Sequence, residues 1–225
     1  MNKAFLLALF VLFSNLLFSS NEDTRTPPIK KEFTGTLKYI EYTPFDTTYF
    51  TVYITKKNIR IDTFKDKENK NVDKVMIYHL DEDQVFAIKP SKEIYKSLSI
   101  ERKHDYSVEG CKVILNKNNF KYINNYKCVQ YRIQDKLNDT DVTYWIPEED
   151  FPFYCDLAEM KYSMQAAHKY FFLLPNSKVA FPMQTTERSL LREEKFSYKV
   201  IEMEEKSELN AELFDIPKGY QLLND

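Results

Sequence analysis

Apolar and polar residues alternate along most of this chain with the two-residue period of a β-strand. In FTGTLKYIEYT (33–43), Leu37 and Tyr39 fall on one face and Thr36 and Lys38 on the other. TTYFTVYIT (47–55) concentrates β-branched and aromatic side chains, which fit a pleated, half-buried surface. Pro44-Phe45-Asp46 between them predicts a hairpin connection. NIRIDTF repeats the alternation, Ile59 and Ile61 against Arg60 and Asp62. After the charged loop KDKENKN, strands are predicted at VDKVMIYHL, VFAIKP, EIYKSL, KVILN, FKYIN, CVQYRIQD and VTYWIP, then over 178–188 and 194–206. Turn compositions such as DEDQ and LNDTD separate them. Short strands punctuated in this way favour an antiparallel sheet or barrel over β-α-β units.

One segment keeps a different period. In CDLAEMKYSMQAAHKYFFLL, Leu157, Met160, Met164 and then Ala167 or His168 recur at helical spacing. The pattern predicts a helix over about 157–170, with Asp156 as its N-cap because a carboxylate there can accept from the free amides of the first turn. Methionines adapt to irregular apolar surfaces, so Met160 and Met164 suit either packing on the sheet or covering a cavity.

The start of the chain, MNKAFLLALFVLFSNLLFSS, has Lys3, an apolar run too short to span a bilayer, and small residues at Ser19 and Ser20. That is the pattern of a secretory signal peptide, expected over 1–20. A longer anchor helix would have to run through Asn15, so no stable transmembrane anchor is expected. Residues 21–31 read as a flexible lead-in and 32–225 as a single domain, exported to the periplasm or beyond.

Composition narrows the function. Hydrophobic residues make up 43 % and aromatics 15 %, enough to bury a core. A net charge of −2 gives no field for nucleic acid. Glycine occurs only at 35, 110 and 219, so there is neither a phosphate-cradling loop nor a Gly-x-Ser-x-Gly elbow. The acidic runs at 81–83 and 148–150 read as solvated turns. His79, His104 and His168 are scattered and no Cys-x-x-Cys occurs, so neither metal nor cofactor is expected. Asn138-Asp139-Thr140 matches a glycosylation acceptor. In an oxidising compartment the three cysteines predict one disulfide; Cys128 with Cys155 is one candidate and Cys111 the alternative partner, spacing leaving the pairing open.

Several stretches together resemble secreted families of unknown function from Gram-negative envelopes, the GLPGLI-related ones among them, which are akin in shape to the Lol-type lipoprotein carriers. They are FTGTLKYIEY; the short basic strand Ile59-Arg60-Ile61; YINNYKCVQY (122–131), similar to the families' Ile-x-Gly-Tyr-x-Cys-x-x-Tyr; Tyr144-Trp145-Ile146-Pro147; and the closing FDIPKGY (214–220). The families' turn glycine is Asn125 here, which can still adopt a left-handed backbone. PNSKVAFPM stands where some relatives are glycine-rich.

The resemblance implies a mainly β protein: a single curved antiparallel sheet, a half-barrel, with one principal helix across its concave face. Such a shape encloses an apolar cavity. Tyr39 and Tyr53 from the sheet and Leu157, Met160 and Met164 from the helix are expected to line it. The function implied is non-enzymatic binding of a lipid, an acyl chain or a lipoprotein; the alternative is an interaction protein whose core is filled. At the other end of the chain, Phe214 is expected to seat the tail, Pro217 to stop strand pairing, and Gly219 to take a positive φ that returns Tyr220 to the protein.

Overall fold

The computed structural model of the chain describes residues 33–68, 70–99, 110–161 and 166–223. The expected signal peptide and lead-in lie outside them. Twelve strands form one sheet: β1 (Gly35–Tyr42), β2 (Thr47–Ile54), β3 (Asn58–Phe64), β4 (Val72–His79), β5 (Gln84–Lys89), β6 (Ile94–Ser99), β7 (Cys111–Ile123), β8 (Tyr126–Asp135), β9 (Thr140–Pro147), β10 (Gln184–Arg188), β11 (Glu194–Glu205) and β12 (Gln221–Leu222). The spatial order is β12-β6-β5-β4-β3-β2-β1-β11-β10-β9-β8-β7. Two meanders, β1–β6 and β7–β11, therefore join where β1 pairs with β11, and every pairing is antiparallel except that of β12 with β6. Register shifts at Lys38/Tyr39, Thr63/Phe64 and Glu187/Arg188 bend the strands. The sheet is curved and open, as a half-barrel requires.

Hairpins fall where turn chemistry put them. Phe45 sits fully in solvent at the β1–β2 turn, where the Thr43 N–H donates to the Asp46 carbonyl oxygen at 2.9 Å. At β7–β8, Asn124 and Asn125 have φ of 48° and 67°, the two left-handed residues of a tight hairpin. Two predicted strands, KVILN and FKYIN, are one: β7 runs through both with an irregularity between Asn116 and Phe120. The strand expected over 178–188 begins only at Gln184. Pro182 has no amide to give the ladder, and the chain before β10 instead bonds at Met183, whose N–H reaches the Trp145 carbonyl oxygen at 2.8 Å.

Within the helical segment the described residues form α1 (Phe153–Lys161) and α2 (Ala166–Phe171). α1 starts earlier than its periodicity indicated, so Asp156 lies inside the first turn and does not cap it. There its charge still complements the helix dipole. Phe153, Tyr154, Leu157, Ala158, Ala167, Tyr170 and Phe171 join the main apolar cluster with the inward residues of the sheet, among them Leu37, Tyr39, Val52, Ile54, Val142, Tyr144, Phe196 and Val200. The Tyr144 hydroxyl donates to the Ala167 carbonyl oxygen at 2.5 Å, and the Ala167 N–H donates to Glu187 at 3.1 Å, pinning α2 to β9 and β10.

A second cluster occupies the opposite face. Val75, Ile77, Ile88 and Phe214 are buried there, with Tyr53, Phe86, Tyr95 and Tyr220 against them. The tail crosses this face as a strap. A 3-10 turn, Ala211–Phe214, delivers Phe214 to the cluster, and the Arg60 guanidinium donates to the Leu213 carbonyl oxygen at 2.9 Å. His79 Nε2 lies 3.1 Å from the Phe214 carbonyl oxygen, to which it can only donate. Gly219 has φ of 90° and Tyr220 packs back, as expected. Beyond the interruption at Pro217 the chain pairs again, adding β12 to the edge of β6.

Gly35 is needed for close approach. A Cβ there would overlap the Glu204 carbonyl oxygen of the neighbouring strand and sit 2.9 Å from the Phe33 ring. Gly35→Ala is expected to cost about 2 kcal/mol through overpacking, read as a lower midpoint in urea; an unchanged midpoint contradicts this account of the β1–β11 contact.

Candidate functional site

A hollow lies between the helices and the middle of the sheet. Leu37, Tyr39 and Glu41 of β1 and Tyr198 and Val200 of β11 form one wall; Tyr154 and Leu157 of α1, His168 of α2 and Phe181 form the other. Alternation on β1 explains the first wall: positions 37, 39 and 41 share a face, and β11 presents the matching side chains across the β1–β11 pairing. The hollow measures about 370 Å³ including its open side, of which about 20 Å³ admits the centre of a water molecule. It is narrow, and its lining is mostly apolar. Glu41, half-exposed, is the carboxylate of the lining.

Aromatic packing holds these walls apart. Tyr39 stacks on Phe50 with ring centroids 4.5 Å apart and lies 6.0 Å from Tyr198. Phe181 touches Phe151, Phe153 and Tyr154 at 5.7, 5.1 and 5.3 Å. The Tyr198 hydroxyl donates to the Pro182 carbonyl oxygen and sits 3.3 Å from the Tyr154 hydroxyl. Burial pushes the Tyr144 and Tyr198 phenols well above their usual range, so both stay neutral donors. Their polarity is spent tying helix and loop to the sheet, which leaves the lining apolar apart from Glu41 and the buried His168.

Of the residues expected to line a cavity, Tyr39 and Leu157 meet here. Tyr53 does not: it points to the opposite face, beneath the tail, with the Arg60 guanidinium 5.9 Å above its ring. Met160 occupies a position in α1, its side chain outside the described part, and Met164 lies outside the described residues. No disulfide joins Cys111, Cys128 and Cys155. Cys111 faces Asp135 and Cys128 faces Lys121 across β7 and β8. Seven residues of strand, roughly 23 Å, separate those positions, far beyond bridging distance. Burial pushes the Cys128 thiol up to about 11, leaving it protonated and unreactive at neutral pH. Among the described residues no group of three or more His, Cys, Asp or Glu could hold a metal ion, and no helix is long and apolar enough to cross a membrane.

A second concavity was not anticipated. On the outer face of β8, β9 and β10, the outward residues Gln130, Arg132, Gln134, Asp141, Thr143, Thr186 and Arg188 line a polar pit of about 870 Å³ including its open side. Asp141 accepts from Arg132, and from Gln134 at 3.0 Å. Burial opposes its ionisation, but these bonds outweigh it and hold the carboxyl below the usual range. The signal was the Gln-x-Arg-x-Gln alternation of β8, which reads equally as an ordinary solvated face.

The architecture is thus an open antiparallel half-barrel with two helices packed into its concavity over an apolar hollow. The chain belongs to a family described as a domain of unknown function, DUF4412, which matches residues 33–220. A search of curated proteins finds no match. Among solved structures, an uncharacterized conserved protein from Thermus thermophilus is similar over 84 % of this chain and 90 % of its own, at 10 % identity and a TM-score of 0.50. MucB, in a complex with MucA(peri), matches at 3 % identity and a TM-score of 0.48 over 86 % of this chain, which spans 57 % of that one. A putative outer membrane lipoprotein-sorting protein domain from Vibrio parahaemolyticus matches at 9 % identity and a TM-score of 0.33, over 80 % of this chain and 88 % of that one. These likenesses concern the fold.

Proposed function

We propose that this chain is a non-enzymatic carrier or receptor of the bacterial envelope that takes a hydrophobic ligand, a lipid acyl chain or the acyl group of a partner, into the hollow beneath α1. The observation that carries this reading is the lining: Leu37, Tyr39, Leu157, Phe181 and Val200 face one another while the nearby tyrosine hydroxyls are engaged elsewhere. A mostly apolar pocket whose polar lining is the half-exposed Glu41 and the buried His168 suits an amphiphile, its tail against the apolar side chains and its head near Glu41. The hollow is narrow, so a long chain would enter as α1 shifts away from β1 and β11. The expected signal peptide fits such a role outside the cytoplasm.

Titration with monopalmitin, whose neutral hydroxyl head can donate to Glu41, tests the reading. The wild-type chain is expected to bind, and Leu157→Trp, which fills the hollow from α1, to bind at least about tenfold more weakly, a loss of roughly 1.4 kcal/mol. Equal binding by both, with the variant folded, overturns it.

A further inference from the structure

We infer that the free edge of β7 is a docking strand for an extended, acidic segment of a partner protein, added to the sheet as a further antiparallel or parallel strand. The inference is independent of the hollow. β7 ends the sheet, with β8 its one neighbour among the described residues, so within them the outward amides and carbonyls of alternate residues along this thirteen-residue strand have no strand to pair with. The opposite end of the sheet is treated differently: there the tail covers part of β6 with β12. A long open edge attracts other strands, and proteins that leave one open either protect it or use it.

Side chains on this edge point to use. Val113, Leu115, Phe120 and Tyr122 pair with Ile133, Tyr131, Val129 and Lys127 of β8, alternate residues of that strand, which places all four on one face of the sheet. All four are exposed, Phe120 by 51 % and Tyr122 by 67 %. The two rings meet edge to face at 6.3 Å, and Lys127 Nζ lies 5.4 Å from the Phe120 ring. An apolar row of this kind beside unpaired backbone is what a strand-adding peptide grips with alternate side chains.

Charge selects the occupant. Lys112 and Lys117 are exposed cations on β7, and Lys121 lies further along it. From Gly110 to Gln134 the chain has no carboxylate, within a protein of net charge −2, while Lys127 and Arg132 of β8 are paired with Glu148 and Asp141. A second copy of β7 would bring the same cations against these, and edge lysines of this kind guard against self-pairing. A segment that alternates apolar and acidic residues meets both features: its apolar side extends the row from Val113 to Tyr122, and its carboxylates face the lysines.

The probe is a synthetic nine-residue peptide alternating Val and Glu, compared with a Val and Lys peptide and with an N-methylated Val and Glu peptide that cannot complete the backbone ladder. The expected result is binding of the first alone, with new hydrogen-exchange protection confined to β7. The double variant Lys112→Glu with Lys117→Glu, both side chains exposed, is expected to bind about tenfold more weakly at an unchanged melting temperature. Binding of the Val and Lys peptide as tightly, protection away from β7, or a dimer that buries β7 and that the peptide cannot displace would each overturn the inference.

Discussion

Asp135→Ala is expected to lower the stability of this protein by about 4 kcal/mol, a drop of roughly 10 °C in melting temperature for a domain of this size. Asp135 ends β8 and is fully buried. Its carboxylate accepts from the Tyr170 hydroxyl at 2.6 Å, from Asn138 Nδ2 at 2.6 Å, and from the N–H groups of Leu137 and Asn138 at 3.0 and 3.1 Å. One side chain thus shapes the β8–β9 turn and ties α2 to the sheet. Truncation strands the buried Tyr170 hydroxyl and takes the shared acceptor from three turn donors, and an unsatisfied buried donor costs more than an average hydrogen bond contributes. Asp135→Asn keeps the shape and loses the charge, so its cost is expected to be smaller.

The same group gives the protein an acid limb. Burial alone would raise the Asp135 pKa; the bonds from Asn138, Tyr170 and the turn amides outweigh it and hold the carboxyl at about 2. A carboxyl depressed in the folded state stabilises fully above its unfolded value near 4, and that stabilisation is lost as pH falls from about 4 towards 2. Melting curves across this window are expected to be shallower for Asp135→Asn than for wild type. Parallel curves contradict the assignment.

Phe181→Ala is the second large effect, expected at about 4 kcal/mol. The ring is buried at 1 % exposure among Phe151, Phe153 and Tyr154, so its removal leaves a cavity between α1 and the sheet. Phe181 also lines the hollow, which the substitution enlarges. The variant is therefore expected to unfold at lower urea yet, while folded, to accept a bulkier apolar guest. A loss below about 1 kcal/mol by urea titration would place the weight of this packing elsewhere.

Most of the sheet was legible because alternation is a local signal. Leu37 with Tyr39 and Ile59 with Ile61 announce an inward face without reference to the rest of the chain. The misassigned residue, Tyr53, shows where that signal stops. β2 is apolar on both faces, Phe50, Val52 and Ile54 inward and Tyr49 and Tyr53 outward, because the tail covers the outer face from more than a hundred and fifty residues away in sequence. Nothing local says which face meets the helices. Asp135 is similar: in QDKLNDTD it reads as one more turn carboxylate, and its burial is decided by Tyr170. The early start of α1 at Phe153, the delayed start of β10 after Pro182, and the two-residue β12 all follow from tertiary contacts that periodicity does not carry. The cysteines mislead for a related reason: an expected export predicts a disulfide, but Cys128 and Cys155 are both free thiols, and the β7–β8 register keeps the alternative partner Cys111 away from Cys128.

The proposal that the hollow holds an acyl chain is tested most directly by purifying the protein from its native host without detergent and identifying extracted lipids by mass spectrometry. The account predicts an acyl lipid in near-stoichiometric amount with the wild-type chain and its loss from Leu157→Trp. Wild-type protein that emerges lipid-free, or lipid retained equally by the variant, would contradict it.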